Sequence, residues 1–228
     1  MLVKKYPAEV MEIQNPVDTL YVLKLRSKGR PFKFLPGQFL HLSLDEYDPS
    51  NSWPESRCYS IQGQDRSGSI ILTFSIKGRF TSRIAKELTI GKTLWLKMPY
   101  GSLFQDIPDK SGCVFIAGGT GITPFLSLFT HESFKLFQKP TLYAGFRSAE
   151  YNIYGTYLSD AKIINPEFES RIFYEDLEGM LDIESIFQKQ PEGATYFLSG
   201  PPVMIKNFRN FLVENGVNTE RIRTDEWE

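Results

Sequence analysis

The hydrophobic pattern of this chain changes near residue 108, and the change restricts the fold to a β half followed by an α/β half. Up to that point the sequence contains short runs rich in Val, Ile, Leu, Phe and Thr: DTLYVLKL, QFLHLSL, SIILTFSI and KTLWLKM. Gly, Pro, Asn and Asp separate these runs, as is typical of a small antiparallel barrel or sandwich. We therefore predict an antiparallel β-barrel domain over residues 1–108, with one helix at TSRIAKEL.

After PDKSG, strand-like and helix-like segments alternate. They are CVFIAG, PFLSLFTHESF, PTLYAGF, SRIFYE, TYFLSG and PVMIKNFRNFLVENG, with two further helical stretches between them. Alternation of this kind is typical of a parallel α/β sheet. Turn residues cluster between Pro108 and Gly112, so the sequence predicts a second domain over residues 109–228.

Composition excludes several classes of function. A formal net charge of −1 argues against nucleic acid as the main partner, because phosphate binding needs concentrated basic surface. No apolar stretch approaches the length of a membrane span, so we expect a cytoplasmic protein. Cys58 and Cys113 form no C-x-x-C pair, and His41 and His131 lack metal-ligand spacing, so we expect no disulfide framework and no metal site.

A glycine-rich segment, Gly118-Gly119-Thr120-Gly121-Ile122-Thr123-Pro124, lies in the middle of the chain. Its glycines permit close approach of the backbone to a ligand, and the helix that follows offers free N–H groups to a phosphate. Pro124 is compatible with the first turn of that helix, where its missing N–H is not needed. The alternative is a tight strand-to-helix turn without a ligand.

GGTGITP resembles the nicotinamide-nucleotide loop of the ferredoxin-NADP(+) reductase superfamily, which includes flavodoxin reductases, cytochrome b5 reductases and oxygenase reductases. The segments PGQF (36–39), RCYS (57–60), MPYGSLF (98–104) and YFLSGPPVMI (196–205) resemble further motifs of that superfamily, in the same order. The resemblance covers essentially the whole chain. It implies that residues 1–108 bind a flavin and that residues 109–228 bind NAD(P).

The resemblance assigns roles in flavin binding to two segments. It implies that Arg57 pairs with a flavin phosphate, that Tyr59 presents its ring to the isoalloxazine, and that the Ser60 hydroxyl bonds near flavin N5. It also implies that a helix N-terminus binds the flavin pyrophosphate, with Thr81 or Ser82 as the capping residue. The remaining residues of that segment are Ile76, Lys77 and Gly78. Without a ligand, the Arg-x-Tyr alternation would be only a surface pair.

A second group of residues is assigned to the nicotinamide. The resemblance implies binding by Gly200, Pro201 and Met204, and a catalytic position for Ser199 beside the nicotinamide ring. Many members of the superfamily have cysteine at that place, so Ser199 leaves any contribution of a thiol in doubt.

Two observations bear on the choice between NADH and NADPH, and they point in opposite directions. Arg147 and Ser148 follow the strand TLYAGF and could hold a 2′-phosphate. Glu175 and Asp176 stand where NADPH-specific plant-type members often have Ser-Arg. The mixture slightly favours NADH.

The sequence ERIRTDEWE is similar to the acidic-x-aromatic ending of many members of the superfamily. The resemblance implies that Asp225 assists proton movement near flavin N5 and that Trp227 packs beside the flavin. The alternative is a solvated charge and a packed aromatic edge, since chain termini often fray.

The implied activity is that of an FAD-dependent NAD(P)H oxidoreductase which passes electrons to or from a separate soluble carrier, such as ferredoxin, flavodoxin or an oxygenase component. The basic run of Lys24, Arg26, Lys28, Arg30 and Lys33 could steer an acidic carrier. The alternative is a lysine-protected edge strand.

Three other activities remain open. FMN could replace FAD. The protein could reduce free flavin as a diffusing substrate, although Gly78-Arg79-Phe80-Thr81 argues against this because such a segment would bind a pyrophosphate. It could also be an electron-transfer subunit within a larger complex.

Overall fold

The computed structural model describes residues 2–107 and 109–225. The chain divides into two compact units, Met1–Ser102 and Leu103–Glu228. The first is built on an antiparallel sheet and the second on a parallel sheet with helices, so the predicted fold class is confirmed.

The first unit contains a seven-stranded antiparallel sheet with the strand order β4-β3-β7-β1-β2-β6-β5. Its strands are β1 (Lys4–Val17), β2 (Leu20–Ser27), β3 (Phe39–Ser43), β4 (Arg57–Ser60), β5 (Gly63–Gln64), β6 (Ile70–Ser75) and β7 (Thr93–Tyr100). Helix α1 (Arg79–Glu87) connects β6 to β7. The sheet curves until its two ends approach, since the rings of Tyr59 on β4 and Phe74 on β6 lie 5.7 Å apart.

Alternation of side chains gives this sheet a buried face and an outer face. On β1, Tyr6, Ala8 and Val10 point into the core, and on β7 Leu94 and Leu96 do the same. The residues between them therefore point to the opposite face. Sequence reasoning identified β2, β3, β6 and β7 but not β1, whose alternation includes a proline and several charged residues.

Asp65 stabilises the turn between β5 and β6. One carboxylate oxygen accepts hydrogen bonds from the Ser67 backbone N–H (2.9 Å), the Ser67 hydroxyl (2.6 Å) and the Ser69 backbone N–H (3.0 Å). The other oxygen lies 3.0 Å from the Lys24 amine. The Ser67 hydroxyl above all, with Lys24 and the backbone donors, lowers the pKa of Asp65 to about 2 against the raising effect of burial.

We expect Asp65→Asn to lower the free energy of unfolding by about 1–2 kcal/mol at pH 7, because a charged acceptor of several hydrogen bonds is lost. Since the folded-state pKa lies below the ordinary value of about 3.9, this stabilisation is present above pH ~4 and disappears as the pH falls towards 2. Urea unfolding at several pH values measures it. The exposed Asp160 provides the control, Asp160→Asn. If Asp65→Asn lowers the free energy of unfolding by as much near pH 2 as at pH 7, the explanation is contradicted.

The second unit contains a five-stranded parallel sheet with the strand order β10-β9-β8-β11-β12. Its strands are β8 (Cys113–Gly118), β9 (Thr141–Phe146), β10 (Glu169–Tyr174), β11 (Thr195–Ser199) and β12 (Ile222–Thr224). Its helices are α2 (Thr123–Phe129), α3 (Gly155–Ile164), α4 (Glu175–Glu178), α5 (Ile183–Phe187) and α6 (Pro202–Glu214). The strand order reverses between β8 and β11, and in open parallel sheets ligands bind at the carboxyl ends of the strands at such a point.

Hydrophobic clusters cover both faces of this parallel sheet. One cluster includes Phe115 and Phe197, whose rings stack 4.8 Å apart, and packs against α2 and α3. The other includes Ile116 and Leu198 and packs against α5 and α6. Strands that are buried on both faces explain why CVFIAG and TYFLSG are almost continuously apolar.

The division between the units falls after Ser102, earlier than the turn residues predict. Leu103 belongs to the core of the second unit, and Phe104 and Ile107 pack against that core. The Phe104 ring lies 5.3 Å from the ring of Phe197. Burial of these side chains outweighs the local turn signals. Across residues 2–107 and 109–225, no helix has the length and apolar character needed to cross a membrane.

Candidate functional site

Strand β4 and the start of α1 lie side by side in the first unit. The guanidinium carbon of Arg57, the first residue of β4, lies 5.0 Å from the ring centre of Phe80, in the first turn of α1. The structure therefore brings RCYS and GRFT together, although they are separated in sequence.

Helix α1 begins earlier than predicted. The N-cap is Gly78, whereas the sequence predicted Thr81 or Ser82. The reason is that the Thr81 hydroxyl reaches back and accepts hydrogen bonds from the backbone N–H groups of Lys77 (2.9 Å) and Gly78 (3.1 Å). The Ser82 backbone N–H already donates to the Gly78 carbonyl. The N–H groups that remain for a ligand are those of the first turn, from Arg79 to Thr81.

Glu55 forms ion pairs with two arginines at the start of β4 and α1. One of its carboxylate oxygens lies 3.2 Å from the Arg57 guanidinium, and the other lies 3.8 Å from the guanidinium of Arg79. Two guanidinium groups thus lie close to one carboxylate. The same arrangement of two cations is suited to binding a phosphate. Sequence reasoning missed Glu55 and Arg79 as site residues, because neither belongs to the matching motif positions.

Tyr59 and Ser60 are buried beside this cluster. The Tyr59 ring packs edge-on against Phe74, and its side chain is 9% exposed. Burial raises the pKa of Tyr59, against the lowering effect of Arg57, so the hydroxyl is a neutral donor. Within residues 2–107 and 109–225 that hydroxyl has no hydrogen-bond partner. Because leaving a buried polar group unsatisfied costs about 1–3 kcal/mol, it fits a site for a ligand that supplies an acceptor.

The PGQF segment is tied to MPYGSLF by a glutamine. The Gln38 side chain accepts a hydrogen bond from the Leu35 N–H (2.7 Å) and donates to the Gly101 carbonyl (3.0 Å). Phe39 stacks on Tyr100 with ring centres 5.5 Å apart. These two segments therefore form one structural unit next to β4, which pairs with β3.

In the second unit the glycine loop packs directly on a second loop at the end of β11. A Cβ atom on Gly121 would lie 2.5 Å from the Ser199 carbonyl oxygen, and one on Gly118 would lie 2.7 Å from the Pro201 ring. Gly200 has φ +151, and a Cβ there would lie 2.9 Å from the Gly118 nitrogen. Contact between the two loops accounts for these glycines whether or not a ligand binds.

Gly119 differs from the other glycines of the loop. It has φ +55, which favours glycine, and a Cβ there would meet no atom within 4 Å. The space in front of the loop is therefore open at this residue. The Thr123 hydroxyl donates to the Thr120 carbonyl (2.9 Å), and Pro124 is buried in the first turn of α2.

We expect Gly121→Ala to lower the free energy of unfolding by about 1–3 kcal/mol, because the added methyl group must displace backbone atoms. Gly155→Ala is the matched control, since that glycine begins α3 and a Cβ there meets nothing within 4 Å. Removing backbone freedom there should raise stability by about 0.4–1 kcal/mol. Urea unfolding of both variants tests the contrast, and equal effects would contradict it.

Ser199 and Asp225 form a buried pair at the carboxyl end of β11. The Ser199 hydroxyl donates to an Asp225 carboxylate oxygen at 3.3 Å, and the Asp225 N–H donates to the Leu198 carbonyl at 2.9 Å. Both side chains are at most 8% exposed. The structure thus brings two predicted catalytic residues together. Trp227 lies outside the described residues.

The loops after β9 and β10 adjoin each other. The Asp176 N–H donates to the Arg147 carbonyl at 3.2 Å, and the Arg147 guanidinium carbon lies 5.9 Å from the centre of the Tyr151 ring. Ser148 follows Arg147 and is half-buried. Glu175 and Asp176 are exposed and form no ion pair within the described part of the chain.

Two further polar side chains near these loops were missed by sequence reasoning. The Asn152 side-chain N–H donates to the Tyr174 hydroxyl at 3.1 Å, while its carbonyl oxygen is buried and has no partner in the part of the chain that the structure describes. The buried Tyr154 hydroxyl likewise has no partner among those described residues. Nothing in the periodicity of the sequence distinguishes these residues from core residues. In the described ranges, no three or more His, Cys, Asp and Glu side chains are grouped to hold a metal ion.

Comparison with solved structures identifies the architecture. A ferredoxin NADP+ reductase from Neisseria gonorrhoeae, solved with bound FAD and NADP, matches 98% of this chain and 98% of its own, with a TM-score of 0.80 and 19% sequence identity. The chain has the fold of the ferredoxin reductases. A ferredoxin reductase of carbazole 1,9a-dioxygenase shares this reductase fold over 100% of the chain, with a TM-score of 0.76 and 21% identity.

Curated relatives agree with the reductase fold. A probable electron transfer subunit of dihydroorotate dehydrogenase B (NAD(+)) from Methanopyrus kandleri is 38% identical over 126 residues, which is 55% of this chain and 44% of that protein. A flavohemoprotein from Rhizobium meliloti is 25% identical over 92% of this chain and 56% of its own length. The chain thus spans about half the length of these relatives. No protein-family model matches it. The resemblance to the superfamily is confirmed.

Proposed function

We propose that this protein is an FAD-dependent NAD(P)H oxidoreductase, with NADH as the preferred donor, that exchanges electrons with a separate carrier protein. The observation that carries this proposal is the convergence of Arg57, the start of α1 and the buried Tyr59 hydroxyl, which has no hydrogen-bond partner among the described residues. The names of its relatives support it, since they include a reductase with bound FAD and NADP and the reductase component of terephthalate 1,2-dioxygenase from Comamonas.

On this proposal the first unit holds the flavin. A bound flavin supplies the hydride and single-electron chemistry that side chains cannot provide. Arg57, Arg79 and the first-turn N–H groups of α1 bind its phosphates, and the pyrophosphate of FAD suits this set better than the single phosphate of FMN. Tyr59 donates its buried hydroxyl hydrogen, and Ser60 presents a second hydroxyl from the same strand. Ile76 and Lys77 lead the chain into the helix.

The second unit holds the nicotinamide nucleotide. Gly119 and Thr120 offer backbone N–H groups where the glycine loop faces open space. Gly200, Pro201 and Met204 form the second wall. The buried Asp225 carboxylate keeps the Ser199 hydroxyl hydrogen pointing towards itself, so the Ser199 oxygen presents its lone pairs to the nicotinamide carboxamide.

The preference for NADH follows from the charges after β9 and β10. A 2′-phosphate near Arg147 and Ser148 would meet the carboxylates of Glu175 and Asp176, which form no ion pair among the described residues, because the Asp176 backbone is hydrogen-bonded to Arg147. Like charges at close range disfavour binding. The Methanopyrus kandleri relative is described with NAD(+), whereas the Neisseria gonorrhoeae reductase is described with NADP.

An anaerobic titration of the flavin-loaded protein tests the proposal. We expect NADH to bleach the flavin absorption bands, and NADPH to require a concentration about ten times higher or more, which corresponds to roughly 1.4 kcal/mol. The double variant Glu175→Ser, Asp176→Arg should reverse this order, because it replaces the two negative charges with a hydroxyl and a cation. A flavoprotein that neither nucleotide reduces would overturn the proposed function.

Arg57 is expected to retain the flavin. Arg57→Ala should weaken flavin binding about tenfold or more, because a charge-assisted bond to a phosphate contributes about 1.5–3 kcal/mol. The exposed Arg66, in the turn between β5 and β6, gives the control variant Arg66→Ala. Flavin retained after gel filtration, measured by absorbance, reports the result. If both variants retain the same amount of flavin, Arg57 does not bind the flavin.

A second candidate is an electron-transfer subunit without turnover of its own. The relative that favours it is the Methanopyrus kandleri subunit, at 38% identity. Turnover of the isolated protein with NADH and ferricyanide separates the two, since a subunit whose catalysis depends on its complex would give none.

We also propose a cytoplasmic location. Cys58 and Cys113 are not joined in a disulfide in the described part of the chain, and cysteines without disulfides are typical of reducing compartments. Measurement of the thiol state in intact cells would test this location.

A further inference from the structure

One row of the first sheet carries positive charge on its outer face. The direct cross-strand partners are Cys58 on β4, His41 on β3, Lys97 on β7 and Lys5 on β1. Each of them has a strand neighbour in the core, namely Tyr59, Leu40, Leu96 and Tyr6, so these four side chains lie on the opposite, outer face. Burial, and then Lys97, lower the pKa of His41. The charge of the row therefore resides on the two lysines.

Aromatic rings surround these lysines. The Lys5 amine donates to the Tyr47 hydroxyl and lies 4.0 Å from the centre of the Tyr47 ring. The Lys97 amine lies 6.0 Å from the Trp53 ring centre and 5.9 Å from that of Tyr100. The Tyr47 ring is 5.3 Å from Trp53. We call these side chains the basic-aromatic face: Lys5, His41, Tyr47, Trp53, Lys97 and Tyr100.

The pairing of Lys5 with Lys97 is unfavourable for the folded protein. Like charges directly opposite each other in an antiparallel pair destabilise a sheet. Three other cations of this sheet, Lys24, Arg26 and Arg57, have acidic partners, as Arg26 has Glu9 at 2.9 Å. In residues 2–107 and 109–225, neither Lys5 nor Lys97 forms an ion pair.

The acids of the loop between β3 and β4 do not neutralise the face. Asp45 pairs with Arg83, and Asp48 accepts hydrogen bonds within its own turn from Ser50. Glu55 pairs with the two arginines near α1. The exposed Glu46 makes no ion pair among the described residues. The rings of Tyr47 and Trp53 in this loop lie beside the lysines of the face, while the carboxylates of Asp45, Asp48 and Glu55 have other partners.

Protection of a sheet edge does not explain these lysines. Strands β7 and β1 are internal, and the edge strands are β4 and β5. Strand β2 is internal as well, so Lys24 and Arg26, which lie on it, do not protect a sheet edge. Within that run Lys24 and Arg26 are paired with acids, and this half is not free to steer a carrier.

The other half of the run extends the face. The Lys28 amine donates to the Thr93 hydroxyl at 3.1 Å, and the Arg30 guanidinium donates to the Lys5 carbonyl at 3.2 Å. Both residues are exposed and form no ion pair in the described part of the chain. Arg30, whose guanidinium carbon also lies 5.0 Å from the Tyr6 ring centre, adds a positive charge next to Lys5, and Lys28 adds one at Thr93 on β7.

We propose that the basic-aromatic face is the docking surface for an acidic electron-carrier protein. The argument is charge complementarity: a cluster of cations that destabilises the free protein is compensated when carboxylates of a partner cover it, while the rings supply apolar contact at its centre. The proposal rests on the proposed function. The face begins at Cys58, between Arg57 and Tyr59, so a carrier docked there adjoins the strand assigned to the flavin.

Charge reversal in the flavin-loaded full chain tests the surface. The variants are Lys5→Glu, Lys97→Glu and, in case Lys97→Glu fails to fold, Lys97→Gln. Lys86→Glu is the control, since Lys86 is exposed near the end of α1. The probes are an acidic [2Fe–2S] ferredoxin and an acidic flavodoxin, with neutral menadione as an acceptor that needs no docking. Calorimetry measures binding of both proteins, and steady-state kinetics measures their reduction by NADH.

We expect the face variants to raise the dissociation constant and KM for at least one acidic carrier about tenfold at low salt, and to flatten its salt dependence, because fewer charges attract it. Menadione turnover and the control variant should match the unaltered protein. Unchanged carrier binding, or an equal loss with menadione, overturns the proposal, and so does binding of neither carrier. A face that instead binds single-stranded DNA or dimerises, by calorimetry or sedimentation, also overturns it. Failure of NADH to reduce the flavin refutes the proposed function instead, since calorimetry still reports docking.

Discussion

The second unit depends on backbone contact between two loops at the carboxyl ends of β8 and β11. Gly118, Gly121 and Gly200 allow this contact because a Cβ atom on any of them would overlap the facing loop or its side chains. The contact lies where the strand order reverses, which is where a parallel sheet opens a crevice for ligands. One constraint therefore shapes both the packing of the sheet and the place assigned to the nucleotide.

In the first unit, the candidate site consists of groups that a bound ligand would supply with hydrogen bonds or with opposite charge. The Tyr59 hydroxyl is buried without a partner in the described part of the chain, and Glu55 draws two arginines to one point beside the free N–H groups of α1. Unsatisfied donors and converging cations are costly in a protein without a ligand. They are compensated when an anion with hydrogen-bond acceptors binds, which is the chemistry of a dinucleotide phosphate.

Charge on the outer face follows the same reasoning. Lys24 and Arg26 on the neighbouring strand β2 are paired with acids, whereas Lys5 and Lys97 face each other across internal strands among aromatic rings. The sequence suggested a carrier site from consecutive basic residues. The structure shows that two of the five residues of that run, Lys24 and Arg26, are paired with acids. Among the described residues, the unpaired charges of the face come from two separate strands, β1 and β7, and from the segment after β2.

The sequence by itself determined the two-unit architecture, most strands and helices, and the identity of the motif residues, because periodic burial and turn residues are local properties of a chain. It could not determine where α1 begins, which depends on the Thr81 hydroxyl reaching back to Lys77 and Gly78. It also could not place the boundary after Ser102, the contact of Glu55 with Arg79, or the opposition of Lys5 and Lys97. Each of these depends on cross-strand register or on contacts between distant segments, which only the tertiary structure decides.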